Sequence, residues 1–272
     1  MFSRRHAIAV RGPASAAPPL QAQSLIGALV CLLFPSPCKL CGRDLRHAGR
    51  LPVCATCLNE IRPPASEACG RCGHALAAPL DEGSRICLHC LAHPAEYDGA
   101  VCAAAYEGRG RELIHLLKFR GVRTAAEYWA QRLAALTSEL PETPELVTPV
   151  PLGKKRQRER GFNQSSEIAR RLAKKIDCRY EPHALERQRE TRPQSELPLA
   201  DRQRNLQHAF AADRQRVAGR SVLLVDDVLT TGATARAAAQ ALCAAGARRV
   251  MLATAARADL HQAAPRVKEA VA

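Results

Sequence analysis

The stretch Ser221-Val-Leu-Leu-Val-Asp-Asp-Val-Leu-Thr-Thr-Gly-Ala-Thr234 decides the fold. Ser221–Val225 reads as an unbroken apolar strand, the kind buried on both faces of a parallel sheet. A helix is expected over Thr234–Ala245, stopped by Gly246, and the next strand over Arg249–Thr254. Strand, helix, strand in that order implies a right-handed βαβ unit and an open, mostly parallel sheet with flanking helices. Such sheets bind ligands at their carboxyl edge. Asp226 and Asp227 fall there, and Thr230, Thr231, Gly232, Ala233 and Thr234 form a tight turn into the helix. Gly232 permits backbone geometry closed to other residues, and its small neighbours allow close approach. Successive N–H groups and the helix N-terminus favour an anion at that turn. Carboxylates beside a phosphate cradle suit a phosphorylated sugar: the turn takes the phosphate, and the acids take hydroxyls or Mg²⁺.

The same alternation extends upstream. Gly99–Tyr106 is expected as a buried strand and Arg111–Phe119 as a helix with Leu113, Leu116 and Leu117 on one face. Ala125–Leu140 is expected as a second helix with Ala126, Trp129, Ala130, Leu133 and Leu140 as its apolar stripe, ended by Pro141 and Pro144. Glu145–Val150 reads as a strand and Ser165–Ile176 as a helix capped by Asn163 or Ser165. Residues 186–220 are polar, irregular and rich in Arg and Gln.

The chain has 272 residues and a formal net charge of +14. Residues 151–220 hold 18 Lys+Arg against 9 Asp+Glu, a net of +9. That local excess favours polyanionic partners such as nucleic acid, diphosphates or phosphosugars. The run Lys154–Arg160, +4 in seven residues directly after the Glu145–Val150 strand, is expected to contact an anion, with a merely solvated loop as the alternative. Aromatic residues make up 4%, which weakens a case built on base stacking. Leu25–Phe34 is ten residues long, and a membrane span needs about 20. The domain organisation expected is a disordered tail over 1–23, a short amphipathic helix at Ser24–Phe34 opening a cysteine module over 24–93, and an α/β domain over 97–262.

Eight of twelve cysteines fall in four Cys-x-x-Cys pairs: Cys38-x2-Cys41-x12-Cys54-x2-Cys57, then Cys69-x2-Cys72-x14-Cys87-x2-Cys90. Two thiolates from one turn, twice, complete a closed tetrahedral Cys₄ site. Two structural zincs are expected, of the ribbon type, each worth an apparent ~10–16 kcal/mol to a loop-rich segment with little core. Thioredoxin-like redox chemistry is the rival reading of Cys-x-x-Cys. Sequential pairing is expected, with a crossed pairing as the alternative. Cys38-x-x-Cys41-Gly and Cys69-x-x-Cys72-Gly look like two copies of one unit. His74 and His89 are expected as exposed loop residues, and Cys102, Cys178 and Cys243 as small buried hydrophobes in a reducing compartment.

The Ser221–Thr234 segment resembles the phosphoribosyl-diphosphate motif of type I phosphoribosyltransferases. The resemblance implies that Asp226 and Asp227 hold the ribose hydroxyls and that Thr230–Thr234 hold the 5′-phosphate. It puts the diphosphate loop at Val150, Pro151, Leu152 and Gly153, with Arg160 nearby, and a mobile basic loop at Arg187–Asn205. The wider order is Leu33-Phe-Pro35, Lys118-Phe-Arg-Gly121, Pro149-Val-Pro-Leu152, Arg160-Gly-Phe-Asn-Gln164, the Arg202…Asn205…Phe210 spacing, and Leu224–Thr234. It resembles the ComF/GntX family of phosphoribosyltransferase-like proteins over residues 25–258. That family is associated with competence and the use of external DNA, in the cytoplasm.

Two functional readings follow. In one, phosphoribosyl diphosphate with Mg²⁺ binds at Asp226–Thr234 and an acceptor displaces diphosphate; the sequence offers no general base. In the other, a non-catalytic module grips single-stranded DNA during uptake, alongside DNA-uptake proteins. A third and weaker reading is an adaptor whose ribbons bind a protein. The acid pair discriminates, because two carboxylates repel a DNA backbone but suit ribose hydroxyls or Mg²⁺.

Overall fold

The structure is a computed structural model and describes residues 36–45, 49–65, 68–76, 86–92, 96–188 and 209–258. The expected tail, the Ser24–Phe34 helix, and all of the Arg187–Asn205 stretch except Arg187 and Gln188 lie outside the described residues. The strands are β1 (Ala100–Cys102), β2 (Leu146–Pro149), β3 (Arg179–Tyr180), β4 (Leu185–Arg187), β5 (Phe210–Ala212), β6 (Ser221–Leu229) and β7 (Arg249–Arg257). Five form one parallel sheet in the order β1-β7-β6-β2-β3, while β4 and β5 make a separate antiparallel pair. The helices are α1 (Ala55–Asn59), α2 (Leu88–Ala92), α3 (Gly108–Phe119), α4 (Ala125–Leu136), α5 (Lys154–Arg160), α6 (Gln164–Lys175), α7 (Arg214–Val217) and α8 (Ala233–Ala244).

The period-two pattern of the central strands explains the layers. Leu223 and Val225 of β6, with Met251, Ala253 and Ala255 of β7, pack beneath α3, α4 and α6. Val222 and Leu224, with Val250 and Leu252, face the opposite way against α8 and β5. Both faces are covered, so Val222–Val225 of β6 and Val250–Ala253 of β7 are apolar without a break. The stripe Ala126, Trp129, Ala130 and Leu133 of α4 is fully buried.

Several elements differ from expectation. β1 keeps only three residues, because the chain bends away and rejoins β7 as a single bridge, Ala105 to Arg257. The helix at Ala125 gives way after Leu136 to a 3₁₀ turn over Thr137–Glu139. The basic run Lys154–Arg160 is not a loop but helix α5, which ends at Gly161 with φ +72°. The expected loop region 38–90 contains two single-turn helices, α1 and α2.

The two cysteine units repeat one local geometry. Gly42 and Gly73, at φ +76° and +66°, donate their N–H to the carbonyls of Cys38 and Cys69 at 2.9 and 2.8 Å. Cys38 and Cys69 in turn donate to the carbonyls of Arg43 and His74. The left-handed turn after each second cysteine requires glycine and aims both sulfurs inward. Among the described residues, no helix is long and apolar enough to cross a membrane.

Candidate functional site

β2 pairs with β6 only as far as Pro149 opposite Val225, whereas β7 follows β6 to Leu229 opposite Arg257. The sequence pattern ended the strand at Val225. In the structure it continues through both acids, because β7 keeps supplying ladder partners on one side. Asp226–Leu229 is thus half-paired, with its β2 edge open. This edge is also where successive strands depart in opposite directions, β2 to β3 one way and β6 to β7 the other. Crevices of that kind are the ligand sites of open α/β sheets.

The adjacent acids have different surroundings. Asp226 Oδ1 accepts the Ser165 hydroxyl at 3.0 Å and the Asp227 N–H at 2.8 Å. Burial pushes its carboxyl up to about 7, the Asp227 charge adds to the rise, and the Asp227 N–H, Lys118 and Ser165 oppose it. Asp227 instead pairs with Lys118 Nζ at 2.8 Å. The two side chains are each 15% exposed, so the ammonium covers the Asp227 carboxylate at the open edge.

The expected diphosphate segment is tied to the same edge. Val150 donates its N–H to the Val225 carbonyl at 2.9 Å, and Pro151 and Leu152 follow, half-buried, before Gly153 opens α5. Asn163 does two jobs. Its Oδ1 accepts from the N–H groups of Ser165 and Ser166, capping α6, and its Nδ2 donates to the Val150 carbonyl at 2.9 Å. Gln164 beside it is fully buried, with no side-chain hydrogen bond among the described residues. Arg160 lies over the Phe119 ring at 5.1 Å, and burial lowers its guanidinium pKa against the pull of Asp227. Of the site residues expected, Asp226, Asp227, Val150, Pro151, Leu152 and Arg160 therefore gather around one crevice.

The turn completes it. Gly232 has φ +75°, which a side chain rarely adopts, and α8 starts at Ala233 with no acidic residue in its first turn. The Ala233 N–H is met by Thr231 Oγ1 at 3.3 Å, a long contact that a phosphate oxygen can displace. Thr231 is buried, while Thr230 and Thr234 are half-buried at the rim. Two arginines hold the turn from behind. Arg236 Nη1 donates to the Thr231 carbonyl at 3.1 Å, and Arg257 Nη1 donates to the carbonyls of Leu229, at 3.0 Å, and Thr230. Sequence reasoning missed these arginines, and also Lys118 and Ser165. Lys118 stood in a quoted motif without a role. Arg257 carried one signal, a cation closing an apolar strand. A surface groove lies elsewhere, between the first ribbon and α3, and its walls neutralise one another through Arg62–Glu107 at 3.2 Å and Arg109–Glu60 at 3.0 Å.

The cysteines form two clusters, Cys38, Cys41, Cys54, Cys57 and Cys69, Cys72, Cys87, Cys90, each with sulfurs within 4.8 Å of one another. Pairing is sequential. The sulfur separations of 4.0 Å (Cys38–Cys57), 3.7 Å (Cys41–Cys54) and 3.7 Å (Cys72–Cys87) match the edge of a zinc tetrahedron, about 3.8 Å for a Zn–S bond of about 2.3 Å. All-sulfur donor sets fit structural zinc and leave no open position for substrate. Backbone N–H groups of Cys54 and Cys87 donate to Cys38 and Cys69 Sγ, each at 3.3 Å, as thiolate ligands require. His74 is buried rather than exposed, and its carbonyl accepts the Cys69 N–H that closes the knuckle. The His89 side chain lies outside the described residues. Cys102 is buried, but Cys178 and Cys243 are only half-buried, with sulfurs directed at the carbonyls of Pro144 and Glu96.

Comparison with known proteins agrees with this geometry. The double zinc ribbon domain matches residues 29–91, and the phosphoribosyl transferase domain matches residues 162–271. DNA utilization protein YhgH of Escherichia coli O6:H1 is 36% identical over 158 residues, covering 56% of this chain and 69% of that protein. Competence protein F of Haemophilus influenzae is 38% identical over 130 residues, 45% of this chain and 56% of that one. A solved glutamine phosphoribosylpyrophosphate amidotransferase from B. subtilis shares 25% identity over 49% of this chain and 26% of its own, with a TM-score of 0.35, too low to carry an argument. The chain belongs to the ComF/GntX family of DNA utilization and competence proteins, in which a double zinc ribbon accompanies a type I phosphoribosyltransferase domain.

Proposed function

We propose that the chain binds phosphoribosyl diphosphate together with Mg²⁺ in the β2–β6 crevice, as part of a role in the use of external DNA. One observation carries this reading: a half-paired acid pair, Asp226 and Asp227, opens directly into the Thr230–Thr234 turn at the N-terminus of α8. Asp226 and Asp227 take the ribose hydroxyls. Thr230, Thr231, Gly232, Ala233 and Thr234 take the 5′-phosphate. Val150, Pro151, Leu152 and Arg160 flank the diphosphate. Carboxylate oxygens beside a diphosphate are the donor set a hard cation such as Mg²⁺ prefers. In phosphoribosyl transfer, an acceptor would bond to the anomeric carbon as the bond to the diphosphate oxygen breaks, with charge clamped by the flanking cations. The ribbons (within 24–93) are a structural module and 97–262 the ligand-binding domain. Thiolate sites of this kind persist in the reducing cytoplasm, the compartment we assign.

Calorimetric titration of the zinc-loaded chain with phosphoribosyl diphosphate tests this. Mg²⁺-dependent binding is expected, and Asp226→Asn with Asp227→Asn should weaken it about 100-fold, about 2.7 kcal/mol. Normal binding by that double variant would refute the site assignment.

A second reading, single-stranded DNA binding, draws on α5, whose Lys154, Lys155 and Arg158 are exposed beside the crevice. It expects the acid double variant to bind an oligonucleotide as well as or better than the parent, with strong salt dependence.

A further inference from the structure

The second Cys₄ cluster and the phosphate turn share one side chain. Arg257 closes β7 and is buried, 6% exposed. Its backbone is fixed, donating to the Ala104 carbonyl at 2.9 Å and accepting from the Tyr106 N–H at 2.7 Å. One arm of the guanidinium, Nη1, donates to the carbonyls of Leu229 and Thr230, the two residues leading into the turn. The other arm, Nη2, reaches Cys72 Sγ at 3.8 Å, across 185 positions of sequence. We propose that Arg257 is a positioning residue that couples zinc occupancy of the second ribbon to the conformation of the Leu229–Thr234 phosphate turn.

The physical basis is the guanidinium itself. It is a flat, rigid fork, so one arm cannot swing without moving the other. It is also a buried cation, which is stable only beside compensating negative charge. Its hydrogen-bond partners among the described residues are two neutral carbonyls and a cysteine sulfur. Cysteines bind zinc as thiolates, so a loaded Cys₄ cluster carries net negative charge against Nη2. With the cluster empty, metal no longer pins Cys72 Sγ, so Nη2 loses a fixed partner and the rigid fork can shift and release both carbonyls.

The packing around Arg257 is close on both sides. The second ribbon rests on β1: a Cβ at Gly73 would stand 3.2 Å from Cys102 Sγ. Tyr97, 2% exposed, lies against the turn, its hydroxyl 3.6 Å from where a Gly232 Cβ would stand. The first cluster's arginine is local: Arg43, exposed and within the same ribbon, bonds Cys41, and no side-chain hydrogen bond observed among the described residues ties that cluster to the Leu229–Thr234 turn, so it serves as an internal control.

The inference takes Thr230–Thr234 as the phosphate turn, but its first test needs no ligand. Hydrogen–deuterium exchange of the peptide spanning Leu229–Thr234 is followed in the zinc-loaded full chain, with zinc counted by native mass spectrometry and the α4 peptide as a folding reference. Cys90→Ser, which empties the second cluster while keeping Cys72, should speed exchange in the turn about 5- to 150-fold. Arg257→Gln should do the same with two zincs still bound, and the combined variant should add little. Cys41→Ser, which empties the first cluster, should leave the turn unchanged. If the loaded cluster is stabilised by the Arg257 cation, Arg257→Gln should also weaken the equilibrium affinity of one of the two zincs, read by competition with a chelator; this readout needs no cysteine variant. Wild-type exchange in Cys90→Ser lacking its second zinc, or parental affinity for both zincs in Arg257→Gln, overturns the proposal. If wild-type chain binds no phosphoribosyl diphosphate yet the turn responds to zinc as described, the coupling stands and only the functional reading fails.

Discussion

The two ribbons begin from nearly the same local sequence and end in different tertiary roles. Each places a glycine in the left-handed region after its second cysteine and closes the same short loop. The first ribbon then merges with the main core: Cys38, Val53, Cys57 and Ile61 pack in one cluster with Leu113, Leu117 and Trp129. The second forms a small cluster of its own, four buried cysteines with Leu76 and Ile86, and meets the rest of the molecule at β1 and through Arg257. A metal knuckle is a local device, built within about twenty residues. What it supports depends on the surface it lands on. Here one copy buttresses the helical layer and the other stands behind the Leu229–Thr234 turn.

Removing metal should produce the largest effect and tests the comparison directly. Native mass spectrometry should count two zincs per chain, and chelation should unfold both ribbons, since each site supplies an apparent ~10–16 kcal/mol. Cys41→Ser should lower the melting temperature more than Cys72→Ser, because the first ribbon shares the core of α3 and α4; the opposite ranking would invert the roles assigned here.

Next come the two glycines. Alanine at either position meets the left-handed cost of about 1–2 kcal/mol. A Cβ at Gly42 meets nothing within 4 Å, whereas at Gly73 it meets Cys102 Sγ at 3.2 Å. Cys102 is buried and cannot yield freely. Gly73→Ala should therefore cost about 1 kcal/mol more than Gly42→Ala in denaturant unfolding; equal costs would mean that the second ribbon does not rest on β1.

A finer contrast separates the adjacent acids. Asp226 is raised to about 7, so carboxylate binding of ribose hydroxyls should strengthen as pH rises through 7, by roughly tenfold from pH 6 to pH 8. The sign for stability is opposite. The folded carboxyl holds its proton more tightly than the unfolded one, so its contribution is present at low pH and lost as pH rises toward the folded value. Asp226→Asn should flatten that decline in a melting series. In Asp227→Asn the Asp226 titration, followed by carboxyl NMR, should move to lower pH, because one cause of the rise is the Asp227 charge.

The smallest effect is expected at Arg109, which joins the first ribbon to α3 through the Leu40 carbonyl at 3.1 Å, Glu60 at 3.0 Å and Glu112 at 2.7 Å. Both acids are half exposed, so Arg109→Ala should cost no more than about 1 kcal/mol in unfolding.

The amino-acid sequence alone determined the features that arise within a few residues. The apolar run Ser221–Val225, the Thr-Thr-Gly turn, the stop at Gly246 and the Cys-x-x-Cys-Gly knuckles are all where local chemistry requires them. The unbroken burial of Ser221–Val225 and most of the stripe of α4 were legible for the same reason: an apolar run or a helical period is a short-range signal. The tertiary structure decided the rest. β6 runs on through Asp226 and Asp227 because β7 offers partners to Leu229. Ser165 reaches Asp226 across 61 positions, Lys118 pairs with Asp227, and Arg257 spans the turn and Cys72. α5 became a helix between Gly153 and Gly161, where charge alone had suggested a loop. No local pattern encodes such meetings. They exist because packing the sheet brings distant segments to one carboxyl edge, where buried charges must find partners.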